Sequence, residues 1–126
     1  MFWKTKVNNQ TGLAAENQAL AFLQKQGLRL RERNYACKAG ELDLVMNDKD
    51  TLVFIEVRFR KSDNYGSAEE SVTHRKQARL NRAAAHYMQT FRLTDKVPCR
   101  FDIITIHPDR NRDGNQVNWI RNAFGP

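Results

Sequence analysis

The amino-acid sequence predicts an α/β protein in which helices flank a central mixed β-sheet. Two largely apolar runs, at residues 40–46 and 51–60, are separated by the turn-rich segment Asn47-Asp48-Lys49-Asp50, which is the pattern of a β-hairpin. Residues 12–26 and 71–91 have helical composition on either side of that hairpin. With 126 residues, the chain is expected to form one domain with a substantial hydrophobic core.

The first helix is predicted over residues 12–26. Thr11 precedes it as an N-cap candidate, and Gly27 follows it as the glycine expected at the C′ position. Helical spacing sets four residues on one face: Leu13, Glu16, Leu20 and Leu23. Glu16 therefore interrupts an apolar stripe. It is either a boundary residue paired with an arginine or a carboxylate directed at a functional site.

The remaining elements follow from alternating apolar residues and from turn residues. In chain order they are a loose polar segment at 1–10, an edge strand at 28–34, the two hairpin strands, a polar loop at 61–71, a helix at 71–91, a strand at 99–106, a polar turn at 109–115 and a short strand at 117–121. The second helix has an apolar side suited to the core, formed by Val72, Leu80, Ala83, Ala84, Tyr87 and Met88.

Carboxylates interrupt the two hairpin strands, and a buried carboxylate is costly unless a cation or hydrogen bonds compensate. If Asn47 lies opposite Asp50, then Asp43 and Glu56 become diagonal neighbours roughly 7 Å apart. Because side chains alternate with period two, one sheet face carries Glu41, Asp43, Leu52, Phe54, Glu56 and Arg58. Two carboxylates at that separation favour a hard cation, Mg²⁺ or Mn²⁺, because such ions prefer oxygen ligands and keep waters that a substrate can displace.

The order of these motifs resembles the YraN family of small bacterial proteins, also called UPF0102. The resemblance spans residues 12–124 and includes an inward Glu16, Gly40-Glu41-Leu42-Asp43-Leu44, Phe54-Ile55-Glu56-Val57-Arg58, a long helix, Arg100-Phe101-Asp102 and Trp119-Ile120-Arg121-Asn122-Ala123-Phe124. It implies a restriction-endonuclease-like fold related to archaeal Holliday-junction resolvases. It also implies that Asp43 and Glu56 are metal ligands, that Glu16 is an accessory acid, and that the substrate is branched or otherwise structured DNA.

One position departs from the superfamily pattern, which has lysine where this chain has Arg58. Arginine keeps the positive charge and can clamp a phosphate, but its guanidinium stays protonated and is a poor proton acceptor. Lys61 and Lys76 are the nearby lysines that could substitute.

The chain is basic, with a net charge of +7 and a pI near 9.8, which favours a polyanionic partner such as DNA. Arg29, Arg31 and Arg33 are predicted to share one face of the first strand, and Arg75, Arg79 and Arg82 form a helical stripe. Together with Lys61, Lys76 and Tyr65, these are the nucleic-acid-binding candidates. The alternatives are that each cluster is a solvated face and that Tyr65 covers the core instead of stacking on a base.

Other site classes find little support in the sequence. Cys37 and Cys99 lack metal-ligand spacing and are expected to be reduced thiols, and the three histidines are scattered, so a zinc site is not predicted. No apolar run approaches the roughly 20 residues that span a membrane, and no secretory signal is evident. A cytoplasmic location is expected, and both a monomer and a homodimer remain open.

Two further acids have structural alternatives. Asp102 lies in an apolar strand and is either half of a buried ion pair or a support for the metal site. Glu41 either hydrogen-bonds the first strand or an arginine, or joins the site.

The predicted function is therefore metal-dependent phosphodiester hydrolysis by Asp43, Glu56, Arg58 and Glu16. The alternatives are a nucleic-acid-binding module of the same fold without turnover and a protein–protein adaptor.

Overall fold

The computed structural model describes residues 9–60 and 72–125, with the side chains of the first helix described from Gly12 onward. The elements, in chain order, are α1 (Asn9–Lys25), β1 (Arg29–Cys37), β2 (Gly40–Asp48), β3 (Thr51–Phe59), α2 (His74–Thr90), β4 (Cys99–Pro108) and β5 (Asn115–Phe124). The strands form one sheet in the order β1-β2-β3-β4-β5. Every neighbouring pair is antiparallel except β3 and β4, which are parallel and are joined by the crossover that contains α2.

The predicted α/β class with a mixed sheet flanked by helices is confirmed, and it is consistent with a restriction-endonuclease-like core. α1 covers one sheet face, where its Ala15, Ala19 and Leu23 pack on residues that include Leu44 and Ile55. α2 covers the other face, and its buried residues pack with Leu52, Phe54, Phe101 and Ile103. Within the described chain, no helix is both long and apolar enough to cross a membrane.

The end of α1 confirms the prediction at Gly27, which has φ +100°. Gly27 N–H donates to the Gln24 carbonyl and Leu28 N–H to the Leu23 carbonyl, at 3.0 and 3.1 Å, which is the Schellman pattern of helix termination. The prediction at the other end was wrong, because α1 begins at Asn9 and Thr11 lies within its first turn.

The buried face of α1 departs from the predicted stripe at one of its four positions, Leu13. Leu13 is 53% exposed, and the residues that face the sheet are Ala15, Glu16, Ala19 and Leu23. Leu20 also packs partly against this core, so the departure consists of the exposure of Leu13 and the addition of Ala15 and Ala19 to the buried face. Glu16 remains in the buried face, with 5% of its surface exposed.

The pairing of β2 with β3 is shifted by two residues from the predicted register. Asp48 pairs with Thr51 and Asn47 with Leu52, so the connection is Lys49-Asp50, with Lys49 at φ +57°. Because a shift of two residues preserves the side-chain period, Leu52 and Phe54 still share the face of β3 that was predicted for them.

Candidate active site between the hairpin and the second helix

The main-chain pairing of β2 and β3 stops before it reaches the two acids of the hairpin, Asp43 and Glu56. It runs from Asp48 and Thr51 to Leu44 and Ile55. Beyond that pair, Val57 N–H donates 2.9 Å to the Asp43 carboxylate instead of to a backbone carbonyl. If the register is continued by one residue beyond Leu44 and Ile55, Asp43 lies across from Glu56. The strands therefore separate at the point where the acids lie.

The side-chain alternation of β2 reverses at the same point. Leu42 packs in the core under α2, whereas Leu44, two residues later, packs in the core under α1. A regular strand would put both leucines on one face. Val45, two residues after Asp43, also packs in the core under α2, so regular alternation puts Asp43 on the α2 side of the sheet and Leu42 is the residue out of alternation.

Asp43 and Glu56 line one pocket of about 320 Å³, although only 1% and 5% of their surfaces are exposed. The pocket lies between the β1–β2 turn, the hairpin strands and the first turns of α2, and its wall consists of Cys37, Lys38, Ala39, Gly40, Glu41, Asp43, Glu56, Lys76, Arg79 and Leu80. Gly40 has φ +154°, a conformation that disfavours other residues, so it shapes the turn that forms one wall.

The Glu56 carboxylate is balanced by two cations from different elements. Lys76 Nζ of α2 lies 2.8 Å from Glu56 Oε2, and Arg58 Nη1 of β3 lies 3.5 Å from the same oxygen. Lys76 is part of the pocket wall, whereas Arg58 is not among the wall residues. Sequence reasoning named Lys76 as a substitute lysine, and its contact with Glu56 arises from packing between residues 20 positions apart.

One face of α2 forms the cationic wall. Thr73 is the N-cap, and its hydroxyl accepts a 3.2 Å hydrogen bond from Lys76 N–H. Lys76, Arg79 and Leu80 then follow at helical spacing and all line the pocket. Lys38, from the β1–β2 turn, adds a third cation that the sequence analysis did not single out. The sequence feature that could have indicated Lys38 is its position in the turn before Gly40.

The two carboxylates offer oxygen ligands of the kind that a hard divalent cation binds, and the cationic wall suits an anionic group beside it. Among residues 9–60 and 72–125, no three histidine, cysteine or acidic side chains cluster closely enough to hold an ion together. Asp43 and Glu56 would thus leave most coordination positions to water or substrate oxygens, which is the coordination that Mg²⁺ usually has in proteins. Glu41 is a further acid of the wall.

Glu16 does not line this pocket. It lies on α1, against the opposite sheet face, with Arg33 Nη2 3.8 Å from its carboxylate, and the same nitrogen donates 2.8 Å to Asn17. The alternative of a boundary residue paired with an arginine is therefore realised. An accessory role for Glu16 stays a prediction.

The three arginines of β1 do not share a face, contrary to the prediction. Arg31 Nε donates 3.0 Å to the Tyr87 hydroxyl of α2, whereas Arg33 reaches α1. The reason is an irregularity that sequence alternation cannot anticipate: the pairing with β2 shifts between Leu30 and Glu32. Arg29 is exposed.

The other nucleic-acid-binding candidates divide into two groups. Arg75, Arg79 and Arg82 are exposed along α2, as the helical stripe predicted, and Arg79 and Lys76 reach the pocket. Lys61 and Tyr65 lie outside the described residues.

Asp102 forms the buried ion pair that was its structural alternative. Its carboxylate accepts hydrogen bonds from Arg100 Nε at 3.0 Å and from Trp119 Nε1 at 2.9 Å. It also accepts one from Asn122 N–H at 2.8 Å, at the position where the pairing of β4 and β5 shifts. Asp102 is fully buried and belongs to the scaffold.

Arg100 connects this carboxylate to a second one. It donates 2.9 Å to Asp48, and this hydrogen bond holds the pKa of the Asp48 carboxyl below its ordinary value of 3.8. Arg121 donates 3.0 Å to the same Asp48 oxygen.

Cys37 and Cys99 are both free thiols, and burial raises the pKa of the Cys99 thiol.

Comparison with known proteins identifies the family of this fold and pocket. The model of the uncharacterised protein family UPF0102 matches residues 15–106. A UPF0102 protein of Nitrosococcus oceani is 45% identical over 121 residues, 96% of each chain. One of Nitrosomonas europaea is 50% identical over 113 residues, 90% of this chain and 92% of that protein. One of Pseudomonas syringae pv. tomato is 52% identical over 118 residues, 91% and 92% of the respective chains. The chain therefore belongs to the UPF0102 family.

Proposed function

We propose that this protein is a metal-dependent nuclease that hydrolyses phosphodiester bonds in DNA. The observation that carries the proposal is the pair of buried carboxylates, Asp43 and Glu56, that open together into one pocket with a cationic wall. Burying two acids in one pocket is costly because each must be desolvated, and here Val57 N–H donates to Asp43 while Lys76 and Arg58 contact Glu56. A divalent cation held by both carboxylates would add to this compensation.

Asp43 and Glu56 would hold Mg²⁺ or Mn²⁺, and the bound ion would supply a water of lowered pKa and neutralise charge on the phosphate. In the reaction, a water oxygen bonds to phosphorus, one phosphorus–oxygen ester bond breaks, and a proton from the water ends on the leaving oxygen. Val57 N–H orients the Asp43 carboxylate through its 2.9 Å hydrogen bond. Arg58, 30% exposed at its side chain, clamps a phosphate oxygen at the edge of the site.

The charge distribution supports a DNA substrate. The net charge is +7, and the exposed α2 arginines Arg75, Arg79 and Arg82 continue outward from the pocket wall. Such a surface attracts the phosphate backbone without reading its sequence. The preference for branched or otherwise structured DNA comes from the resemblance to junction resolvases.

A second candidate is a DNA-binding module of the same fold without turnover. The observation that favours it is Arg58 in the superfamily's lysine position, together with Lys76 already neutralising Glu56. A protein–protein adaptor is the third candidate, with the basic surface serving an acidic partner.

A panel of linear, flapped and four-way DNA, incubated with Mg²⁺, with Mn²⁺ or with a chelator, separates these functions. The nuclease predicts metal-dependent cleavage of at least one substrate and none by Glu56→Gln. Binding without cleavage in every condition would support the inactive module.

Salt dependence of binding supplies the remaining distinction. For a nuclease or a binding module, the logarithm of affinity for duplex DNA should fall with the logarithm of salt concentration, with a slope of roughly 0.9 per phosphate neutralised. No binding to any of the DNA substrates at low salt would favour the adaptor.

A further inference from the structure

The pocket has its own lysine, supplied by a helix instead of by the strand that carries Glu56. Lys76 Nζ lies 2.8 Å from Glu56 Oε2, within charge-assisted hydrogen-bond distance, whereas Arg58 Nη1 is at 3.5 Å. The Lys76 side chain is also the less exposed of the two, at 23% against 30%. Lys76 therefore occupies the inner cationic position and Arg58 the outer one.

The backbone holds Lys76 in this place. Its N–H is bonded to the Thr73 side chain at 3.2 Å, so the residue sits in the capped first turn of α2. Leu80, one turn further along the same face, is 5% exposed and packs in the core. The helix turn that carries Lys76 is thereby fixed to the sheet, while the four-carbon side chain remains free to change partners.

We propose that Lys76 is the catalytic cation of this site, an inference that rests on the proposed nuclease function. In the metal-free protein its ammonium binds Glu56. When Glu56 is engaged by a divalent cation, the ammonium turns to a non-bridging oxygen of the scissile phosphate and balances the charge that builds there as water attacks. A lysine suits this exchange because it is a compact charge with rotatable donors, whereas the planar guanidinium of Arg58 suits a fixed clamp.

This assignment predicts that removing the Lys76 charge changes two quantities in opposite directions: Mg²⁺ binding becomes stronger and the chemical step becomes slower. Since Lys76 and the metal compete for Glu56, Lys76→Met should strengthen Mg²⁺ binding, by several-fold. The same variant should slow the chemical step by roughly ten- to a hundredfold, as expected for the loss of one charge-assisted hydrogen bond to the transition state. A lysine with only a structural role would not produce tighter metal binding together with slower cleavage.

The experiment compares Lys76→Met with Arg58→Met and with a matched control, Lys96→Met, which makes the same change at an exposed lysine in the turn after α2. Mg²⁺ dissociation constants are measured by calorimetry without DNA, single-turnover rates on the best substrate of the panel, and melting temperatures on all variants. We expect tighter Mg²⁺ and slower cleavage for Lys76→Met, a smaller change in both for Arg58→Met, and neither for Lys96→Met.

Three outcomes overturn the inference. Wild-type cleavage rates in Lys76→Met would remove the catalytic role and leave the nuclease function standing. Slower cleavage with weaker Mg²⁺ binding and a lower melting temperature would make Lys76 structural. A wild-type protein that cleaves no substrate in any metal would overturn the proposed function and the role of Lys76 with it.

Discussion

Asp43 and Asp102 are buried aspartates in the same sheet, and their surroundings differ. Each accepts a backbone N–H where regular strand pairing is broken: Asp43 from Val57 at 2.9 Å and Asp102 from Asn122 at 2.8 Å. The two aspartates are equivalent in this hydrogen bond, because each carboxylate replaces a missing main-chain acceptor.

Their remaining contacts separate a scaffold from a site. Asp102 is enclosed by Arg100 and Trp119, which both donate to it, and it is fully buried. Asp43 instead shares a pocket with Glu56. A buried carboxylate in a strand is thus not in itself a mark of catalysis. What distinguishes the candidate site is a second acid, Glu56, in the same pocket of about 320 Å³.

The largest expected difference between the two regions is in catalysis. Asp43→Asn and Glu56→Gln should each reduce cleavage roughly a hundred- to a thousandfold, because a divalent cation contributes several kcal/mol to stabilising the transition state. Both variants should fold, since each amide keeps an oxygen acceptor. Single-turnover assays with Mg²⁺ measure the effect, and Asp102→Asn is the matched control, with an unchanged rate per folded molecule. Wild-type rates in both pocket variants would place the activity elsewhere.

The next largest expected effect is on stability, where substitution of Asp102 should cost more than substitution of Asp43. Asp102→Ala should lower the free energy of unfolding by about 2–4 kcal/mol, because it removes the acceptor for Trp119 and Asn122 and leaves the partly buried Arg100 with Asp48 as its remaining carboxylate partner. Urea denaturation of this variant and of Asp43→Asn measures the contrast. Asp43→Asn should cost less than about 1 kcal/mol, since it removes a buried charge and retains the Val57 acceptor. Equal losses would mean that both carboxylates belong to the scaffold.

Substitution of Arg58, at the edge of the pocket, should have a smaller effect on cleavage than substitution of Asp43 or Glu56. Arg58→Ala should slow turnover roughly tenfold and weaken DNA binding less, because charge stabilisation matters most when negative charge builds up. Arg58→Lys should retain or raise activity, since it introduces the lysine of the nuclease superfamily that the chain resembles. Single-turnover rates and dissociation constants of the three proteins separate the two effects. Alanine at the wild-type rate would show that Arg58 has no part in the chemistry.

The smallest effect concerns pH and belongs to the scaffold alone. Because hydrogen bonding from Arg100 depresses the folded-state pKa of Asp48 below 3.8, Asp48 stabilises the fold above pH 3.8 and loses that contribution as pH falls through its folded-state pKa. Asp48→Asn should therefore be about 1 kcal/mol less stable than wild type near neutral pH and should approach wild type in acid. Urea denaturation between pH 2 and pH 7 checks this, and a difference that grows in acid would contradict it.

Local sequence was sufficient for much of the fold. The hairpin, the glycine that ends α1 and the apolar side of α2 were all predicted from short-range patterns, and they match the structure. The two-residue error in the hairpin register did not separate Asp43 from Glu56, because side chains on a strand repeat with period two. The buried position of Glu16 also followed from helical spacing.

Other features depended on contacts between distant elements. The first-strand arginines point to different helices because the pairing of β1 with β2 shifts at one place, and no residue of the sequence marks that shift clearly. On α1, Leu13 of the predicted stripe is exposed, and Ala15 and Ala19 pack on the sheet together with Leu23.

The sequence by itself determined which acids were candidates, and tertiary structure decided what each one does. Periodicity could show that Glu16, Asp43, Glu56 and Asp102 are buried, because burial follows from the apolar residues around them. It could not show that Arg33 would pair with Glu16, that Arg100 and Trp119 would enclose Asp102, or that Lys76 would reach Glu56. Those partners are set by how the helices dock on the sheet and where strand pairing breaks, and both are long-range packing outcomes that no local pattern encodes.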